Sequence, residues 1–124
     1  MIIQCLFVGI GGFIGSVLRY ILGKNIILDI DFPLGTLLIN FIGSLVIGII
    51  FAISQKYNIN QNFLLFLKVG VCGGFTTFST FSLETMELLS KGKILLGVGN
   101  AVISVVVCVC AVAVGEWLAY VIKA

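Results

Sequence analysis

Four long apolar stretches, separated by short polar connections, make up nearly all of this 124-residue sequence. A bilayer core about 30 Å thick takes about 20 apolar residues for each helical crossing. Hydrophobic residues make up 60% of the chain and charged residues only 10%, whereas an average soluble domain has about 25% charged residues. The chain is therefore predicted to be a multi-pass membrane protein with little length left for a soluble domain.

We predict a single all-α transmembrane domain over residues 1–124. Pro33 suits the first turn of a helix, and Trp117 and Tyr120 suit the membrane interface near the end of the last apolar stretch. Short polar segments separate the stretches. The four transmembrane helices are expected at about 2–22, 33–53, 63–90 and 94–122.

The composition excludes most enzymatic chemistry. Histidine is absent, so the chain has no His-based triad, His-ligated metal or imidazole proton relay. Neither Gly23-Lys24 nor Gly92-Lys93 has the spacing of a phosphate-binding P-loop. The two close carboxylate pairs lie near predicted membrane edges, and the five carboxylates are Asp29, Asp31, Glu84, Glu87 and Glu116. We therefore expect that the chain is not an enzyme.

The third apolar stretch contains a segment that is unfavourable for a continuous helix. Gly73 and Gly74 each weaken a helix by about 1 kcal/mol relative to alanine. Five hydroxyl side chains follow and can bond to the freed backbone groups, namely Thr76, Thr77, Ser79, Thr80 and Ser82. The sequence predicts a break near residues 73–77, close to mid-membrane. Irregular backbone at that depth is tolerated where it lines a cavity, which indicates an ion or substrate site.

Positive charge is nearly balanced across the predicted membrane. Three cations lie on one side and four on the other; the first group is Lys56, Lys68 and Lys123, and the second is Arg19, Lys24, Lys91 and Lys93. Cytoplasmic loops are normally enriched in Lys and Arg, so this chain has little bias in its insertion. Mixed insertion would permit an antiparallel two-fold dimer. The alternative is that one residue of bias still determines a single orientation.

Polar side chains repeat on single faces of the second and fourth helices. Thr36, Asn40 and Ser44 recur at i, i+4 and i+8, and the same spacing relates Asn100, Ser104 and Cys108. Two polar tracks predict a wet path, in which the Asn40 amide offers donors to an anion. The alternative for Asn40 is an interhelical hydrogen bond that only holds the helices together.

Two other residue types have both a functional and a structural interpretation. Phe75, Phe78 and Phe81 fall at helical spacing, where ring edges can face an anion or simply pack in the core. Arg19 either attracts anions at a pore mouth or extends to the membrane surface. Gly11 and Gly15 form a GxxxG spacing, for which close helix packing is expected.

Three segments, in order along the chain, resemble the motifs of the small bacterial fluoride channels called Fluc or CrcB. They are residues 11–20 (GGFIGSVLRY), 35–44 (GTLLINFIGS) and 73–81 (GGFTTFSTF), of which the last is the most specific. The resemblance covers nearly the whole chain. It implies a fluoride-selective ion channel in the bacterial plasma membrane, built as an antiparallel dual-topology dimer with two pathways, each lined by residues from both subunits. The dimer could consist of two identical copies or include a paralogous partner, and the near balance of positive charge favours two identical copies.

The resemblance also assigns roles to individual residues. It implies that the ring edges of Phe78 and Phe81 face fluoride and that Asn40 is a pore donor. It further implies that the backbone carbonyls of Gly73 and Thr76 from both subunits hold a structural sodium ion on the dimer axis.

Other members of the predicted pathway follow from the same resemblance. Ser104 and Cys108 are expected on the polar track of the fourth helix, although family members often have a hydroxyl in place of Cys108. Thr77, Ser79 and Glu84 are expected to line or border the route, with Arg19 in a vestibule.

The predicted transport is passive, because the sequence has no nucleotide site and no buried carboxylate relay. The resemblance further implies that the channel exports fluoride that accumulates as HF and so confers fluoride resistance. The expected partners are fluoride, the bilayer and a second copy of the chain; nucleic acid is not expected, since the net charge is only +2.

Two other interpretations remain open. A small multidrug-resistance exporter has a similar size but needs a carboxylate in its first helix, and residues 2–20 contain none. A non-transporting assembly subunit is the third interpretation, although the polar break would then have little purpose.

Overall fold

The computed structural model describes residues 1–122, which are almost entirely helical and contain no β-strand. The helices are α1 (Ile2–Asn25), α2 (Leu34–Lys56), α3 (Gln61–Leu65), a π-helical segment (Phe66–Cys72), α4 (Gly73–Phe75), α5 (Phe78–Ser90) and α6 (Ile94–Ile122). Within these residues, four stretches are long and apolar enough to cross a membrane: α1, α2, Gln61–Ser90 and α6. The prediction of an all-α chain with four membrane-spanning helices is confirmed.

The helix ends differ from the sequence prediction by a few residues. α1 continues to Asn25 and α2 to Lys56, beyond the expected ends near residues 22 and 53. α3 begins after Asn60, whose side-chain oxygen accepts hydrogen bonds from the backbone N–H groups of Asn62 (2.9 Å) and Phe63 (3.3 Å). That side chain caps the helix and so places its start at the polar residues before the apolar stretch. Lys123, which was counted in the charge balance, lies outside the described residues.

α1 packs against the third membrane stretch through glycines. Gly15 is buried, and a Cβ added there would lie 2.8 Å from the backbone nitrogen of Phe75. Gly11 is likewise buried and meets the Cα of Gly70, which a Cβ would approach to 2.9 Å. The expectation of close helix packing at the GxxxG spacing is therefore confirmed, because only glycine permits this approach of the backbones.

α2 and α6 form the other closely packed pair. A Cβ at Gly48 would meet the backbone of Val112, and one at Gly115 would meet the backbone of Leu45. In a membrane, dispersion contacts between small residues replace the hydrophobic effect as the force that joins helices. The two helices that carry the predicted polar tracks are thus held in a defined register.

An ion pair connects the loop between α1 and α2 to the turn between α5 and α6. Lys93 Nζ lies 2.8 Å from Asp31 Oδ2. The hydrogen bond and the charge of Lys93 hold the pKa of the exposed Asp31 carboxyl below its ordinary value. In the same turn, Gly92 has a φ of 77°, a left-handed conformation that suits glycine. The loop therefore lies over the end of α5.

Candidate functional site

Two residues interrupt the third membrane stretch. Thr76 and Thr77 have extended backbones, with φ and ψ of −79° and 156° for Thr76 and of −146° and 117° for Thr77. The Thr77 hydroxyl oxygen then accepts a hydrogen bond from the Thr80 N–H (3.2 Å) and caps α5. The polypeptide thus leaves a helix after Phe75 and enters another at Phe78.

Asn40 on α2 holds this extended segment. Its Oδ1 accepts a hydrogen bond from the Thr77 N–H at 2.8 Å, and its Nδ2 donates to the Thr77 carbonyl oxygen at 3.1 Å. The amide therefore satisfies both backbone groups of one residue, and the second N–H of Nδ2 is still a donor. The interhelical hydrogen bonds expected of Asn40 are present, and its role as a donor to an anion stays a prediction.

The interruption also redirects two backbone donors. In a continuous α-helix the N–H of Thr77 would donate to the carbonyl of Gly73, and that of Thr80 would donate to the carbonyl of Thr76. Here these N–H groups donate to the side chains of Asn40 and Thr77 instead. The carbonyl oxygens of Gly73 and Thr76 are thereby released from the helical pattern, and both residues line a cavity.

We call this cavity, of about 430 Å³, the inner cavity. It lies between α2, α6 and the two halves of the third stretch. It brings together eight residues that were predicted to act in the site: Asn40, Gly73, Thr76, Thr77, Phe78, Phe81, Ser104 and Cys108.

The two predicted pore phenylalanines stand side by side at the start of α5. The ring centroids of Phe78 and Phe81 are 5.4 Å apart and the ring planes are tilted by 49°. Phe78 is 77% exposed in the single chain. Both rings line the inner cavity together with Thr76 and Thr77 of the extended segment.

A buried polar chain connects α6 to α5. The Ser104 hydroxyl donates to Asn100 Oδ1 (3.2 Å), and Asn100 Nδ2 donates to the Thr85 hydroxyl oxygen (2.9 Å). Thr85 in turn donates to the Phe81 carbonyl oxygen (2.8 Å). Asn100 is only 1% exposed, so these bonds satisfy a primary amide in the interior. Ser104 is therefore oriented by its neighbour on α6.

A second cavity, which we call the vestibule, lies below the loop that joins α1 to α2 and has a volume of about 670 Å³. Arg19 lines it and donates from Nε to the Gly74 carbonyl oxygen at 3.1 Å. Thr77 lines both the vestibule and the inner cavity, so the interruption is where the two cavities meet. Arg19 thus lines a cavity next to the interruption, and its role as a vestibule residue of a pore stays a prediction.

Glu84 borders the vestibule from α5. Its Oε1 accepts a hydrogen bond from the Thr36 hydroxyl at 2.7 Å. Its Oε2 is buried and has no hydrogen-bond partner within residues 1–122. The carboxyl group thus joins α5 to α2 while one of its oxygens is unpaired, which is costly for a buried polar atom.

One predicted residue lies outside the cavities. Ser79 is exposed and contributes to the lining of neither the vestibule nor the inner cavity. Its hydroxyl oxygen is 3.3 Å from that of Thr77. Ser79 therefore borders the interruption through Thr77 in the single chain.

Three residues of the site were given no site role by the sequence prediction. Thr80 lines the vestibule and accepts a hydrogen bond from the Thr77 hydroxyl (3.0 Å), Thr85 supports Asn100, and Lys68 lines the inner cavity. Thr85 follows Phe81 by one helical turn, so helical spacing alone could have indicated that the two residues share one face of the helix. A charged residue in an apolar stretch is also informative, yet Lys68 was considered only in the charge balance.

Comparison with known proteins identifies the family to which this chain belongs. A family model described as CrcB-like protein, Camphor Resistance (CrcB), matches residues 6–116. The chain belongs to the CrcB family. Its relatives within that family include curated proteins that carry the name fluoride-specific ion channel FluC.

The similarity to these relatives extends over almost the full length of both chains. The CrcB chain is 42% identical over 117 residues to FluC of Shewanella pealeana, which covers 93% of this chain and 94% of the relative. It is 41% identical over 120 residues to FluC of Clostridium novyi, with 94% of each chain covered. It is 42% identical over 123 residues to FluC of Clostridium perfringens, which covers 95% of this chain and 94% of the relative.

Family and hydropathy together define the class of protein. The CrcB chain is a multi-pass membrane protein, and its relatives are named as ion channels, which is a non-enzymatic class. The α1 helix contains no Asp or Glu, so it lacks the carboxylate that a small multidrug-resistance exporter needs in its first helix. Neither the family nor the first helix favours that alternative.

Proposed function

We propose that this chain is a fluoride-selective ion channel. The observation that carries the proposal is the extended Thr76–Thr77 segment, held by the Asn40 amide and flanked by the Phe78 and Phe81 rings in one cavity. Several relatives with about this length are named fluoride-specific ion channels.

The chemistry of the inner cavity suits a small, strongly hydrated anion. Fluoride must exchange its water for several donors, and the cavity offers the second N–H of Asn40, hydroxyl groups and aromatic ring edges. Ring edges attract an anion without binding it so strongly that it cannot leave. Chloride is larger and less strongly hydrated, so a narrow path with fixed donors discriminates against it.

The proposal gives each of these residues a role. Asn40 donates to fluoride while it positions Thr77, and the edges of Phe78 and Phe81 face the ion. Ser104 and Cys108 line the path along α6, with the Cys108 thiol as the weaker donor. Thr77, Ser79 and Glu84 border the route toward the vestibule, where Arg19 attracts anions.

The carbonyl groups of Gly73 and Thr76 have the character of a sodium site. Sodium is a hard cation that prefers oxygen ligands, and both carbonyls lose their helical donors to side chains. Two carbonyls from one chain are few for such an ion, whereas two copies related by a two-fold axis supply four. We therefore propose a structural sodium ion on a dimer axis, which neutralises carbonyl dipoles that would otherwise face one another.

The functional unit in this proposal is an antiparallel dimer of two identical copies. Phe78 and Gly73 are exposed in the single chain, so the pathway is open on one side until a second copy covers it. The near balance of Lys and Arg favours insertion in both orientations. The interruption then lies near mid-membrane, where non-helical backbone is tolerated only next to protein or a wet cavity.

Transport through the dimer is passive and follows the electrochemical gradient. Export of fluoride that entered the cell as HF lowers fluoride toxicity, and the protein acts in the bacterial plasma membrane. A proton-coupled exporter of the small multidrug-resistance class would need a carboxylate within α1, and α1 contains none.

Efflux from liposomes that contain only the purified protein tests the proposal. A fluoride electrode follows fluoride release, and a chloride electrode follows chloride release from parallel vesicles. Rapid fluoride loss without chloride loss is the expected result. Equal loss of both anions, or no fluoride loss from folded protein, would contradict a self-sufficient fluoride channel.

A further inference from the structure

Lys68 is a cationic side chain within the third membrane stretch that no role described above uses. It lies in the π-helical segment, about two helical turns after the start of α3 at Gln61. The residue is half-buried and lines the inner cavity together with Asn40 and Phe81. A charged group at this position is costly in hydrocarbon unless it faces a wet path or has a partner.

The Lys68 ammonium has an aromatic partner but no anionic one. Its Nζ lies 5.4 Å from the ring centroid of Phe51 on α2. Within residues 1–122 the ammonium forms no ion pair, since the ion pair found there joins Lys93 to Asp31. A cation–π contact fixes the position of an ammonium group without neutralising its charge. Lys68 therefore lines the inner cavity with a positive charge that no carboxylate within residues 1–122 neutralises.

The position of this charge along the cavity is also informative. Phe51 follows Asn40 by eleven residues on α2, which corresponds to about 16 Å of helix. Thr36, which borders the vestibule, lies one turn from Asn40 in the opposite direction. Lys68 and Arg19 thus place one cation on each side of the Thr76–Thr77 interruption.

We propose that Lys68 is an anion-attracting residue of the pathway, at the end of the inner cavity that is remote from the Arg19 vestibule. This inference rests on the proposed function, because the anion that Lys68 attracts is fluoride. Held over Phe51, the ammonium raises the fluoride concentration near the polar track without contacting the ion at the interruption. Lys68 is thus an electrostatic positioning residue, and its contribution depends on charge and on ionic strength.

The test compares fluoride efflux from liposomes for wild type, Lys68→Met, Lys68→Arg and Lys68→Glu over a range of ionic strength. At about 0.01 M the Debye length is about 30 Å, and at 1 M it is about 3 Å, so the attraction is strong in the first condition and screened in the second. We expect Lys68→Met to lose at least about threefold in rate at low ionic strength and to approach wild type at high ionic strength. Lys68→Arg should stay within about twofold of wild type, and Lys68→Glu should be slower than Lys68→Met.

A matched control is available on α2. Lys56 ends that helix and lines a small separate cavity with Tyr57 and Ala119, so Lys56→Met removes a cation from outside the pathway. Its rate should equal that of wild type at every ionic strength. If Lys68→Met does not elute as the wild-type assembly in size-exclusion chromatography, Lys68→Gln takes its place under the same criteria.

Two results would overturn the inference. Wild-type rates for Lys68→Met at low ionic strength would mean that the ammonium only extends to the membrane surface. Equal losses for Lys68→Met and Lys68→Arg at every ionic strength would mean that the side chain has a structural role. Both results presuppose selective fluoride efflux by wild type; if wild type moves no fluoride, the proposed function itself is wrong.

Discussion

The side chain of Asn40 bonds to both backbone groups of Thr77, accepting from its N–H at 2.8 Å and donating to its carbonyl oxygen at 3.1 Å. These two bonds satisfy the backbone at the point where the third membrane stretch stops being helical. One N–H of Nδ2 lies outside these two bonds, and the proposed function assigns it to fluoride. A single amide on α2 therefore fixes the backbone of the interruption.

Asn40→Asp is expected to reduce fluoride efflux at least about tenfold, because a hydrogen bond to a charged group is worth about 1.5–3 kcal/mol. The substitution removes the Nδ2 donor and places a negative charge against the Thr77 carbonyl and the permeating anion. Electrode-monitored efflux measures the effect, with Asn62→Asp as a control because Asn62 lines neither cavity. Wild-type efflux by Asn40→Asp would exclude this amide as a pore donor.

Phe81→Ile is expected to slow fluoride efflux while the protein stays folded and keeps the assembly state of wild type. An aliphatic side chain fills similar space but has no ring edge with positive partial charge, so the anion loses an attractive contact. Efflux rate and size-exclusion profile are measured together. Phe63→Ile is the control, since Phe63 stacks on Phe66 with centroids 6.0 Å apart and lies outside the inner cavity. Equal rates for the two variants would assign Phe81 to packing alone.

Thr36→Val is expected to lower the free energy of unfolding by about 1–3 kcal/mol. It removes the hydroxyl that donates to Glu84 Oε1 and leaves the carboxyl group without that bond, while Oε2 is already unpaired within the described residues. Unfolding in detergent measures the loss. In a Glu84→Gln background the same substitution should cost less, because the buried group is neutral. An equal cost in both backgrounds would show that the two side chains are not coupled.

At pH values above the ordinary Asp pKa of 3.8, Asp31→Asn is expected to lower the unfolding temperature. At pH values well below 3.8 the substitution should leave the unfolding temperature unchanged. Lys93 depresses the pKa of Asp31 in the folded protein, so the unfolded state binds the proton more readily. The stabilisation is therefore present above the ordinary pKa and is lost as the pH falls through the lowered one. Melting curves of wild type and Asp31→Asn should converge in acid, whereas Asp29→Asn serves as the exposed control. A constant difference at all pH values would contradict the linkage.

Gly15→Ala is expected to destabilise the fold by about 1–3 kcal/mol, because the added methyl group overpacks a close backbone contact. Its Cβ would lie 2.8 Å from the backbone nitrogen of Phe75, where little movement is possible. Gly9→Ala on the same helix is the control, since nothing lies within 4 Å of its Cβ position. Denaturant titration in detergent compares the two. Equal stabilities would indicate that α1 shifts without cost.

Hydropathy by itself determined the four membrane-spanning helices and the all-α class. A spanning segment must satisfy its own backbone hydrogen bonds, so long apolar stretches in this chain have one available structure. The glycines at 73 and 74 and the hydroxyl side chains after them pointed to the segment where Thr76 and Thr77 are extended. Local composition was sufficient there because helix propensity is a property of adjacent residues.

Only the tertiary structure decided which distant side chains meet. Asn40 bonds to Thr77, Thr36 to Glu84, and Lys68 lies over Phe51, although each pair is far apart in the sequence. In a soluble helix, the contrast between polar and apolar faces indicates which side is buried, whereas these helices are apolar on nearly every face. Their rotation and register depend instead on glycine contacts such as Gly48 with Val112, which periodicity does not indicate.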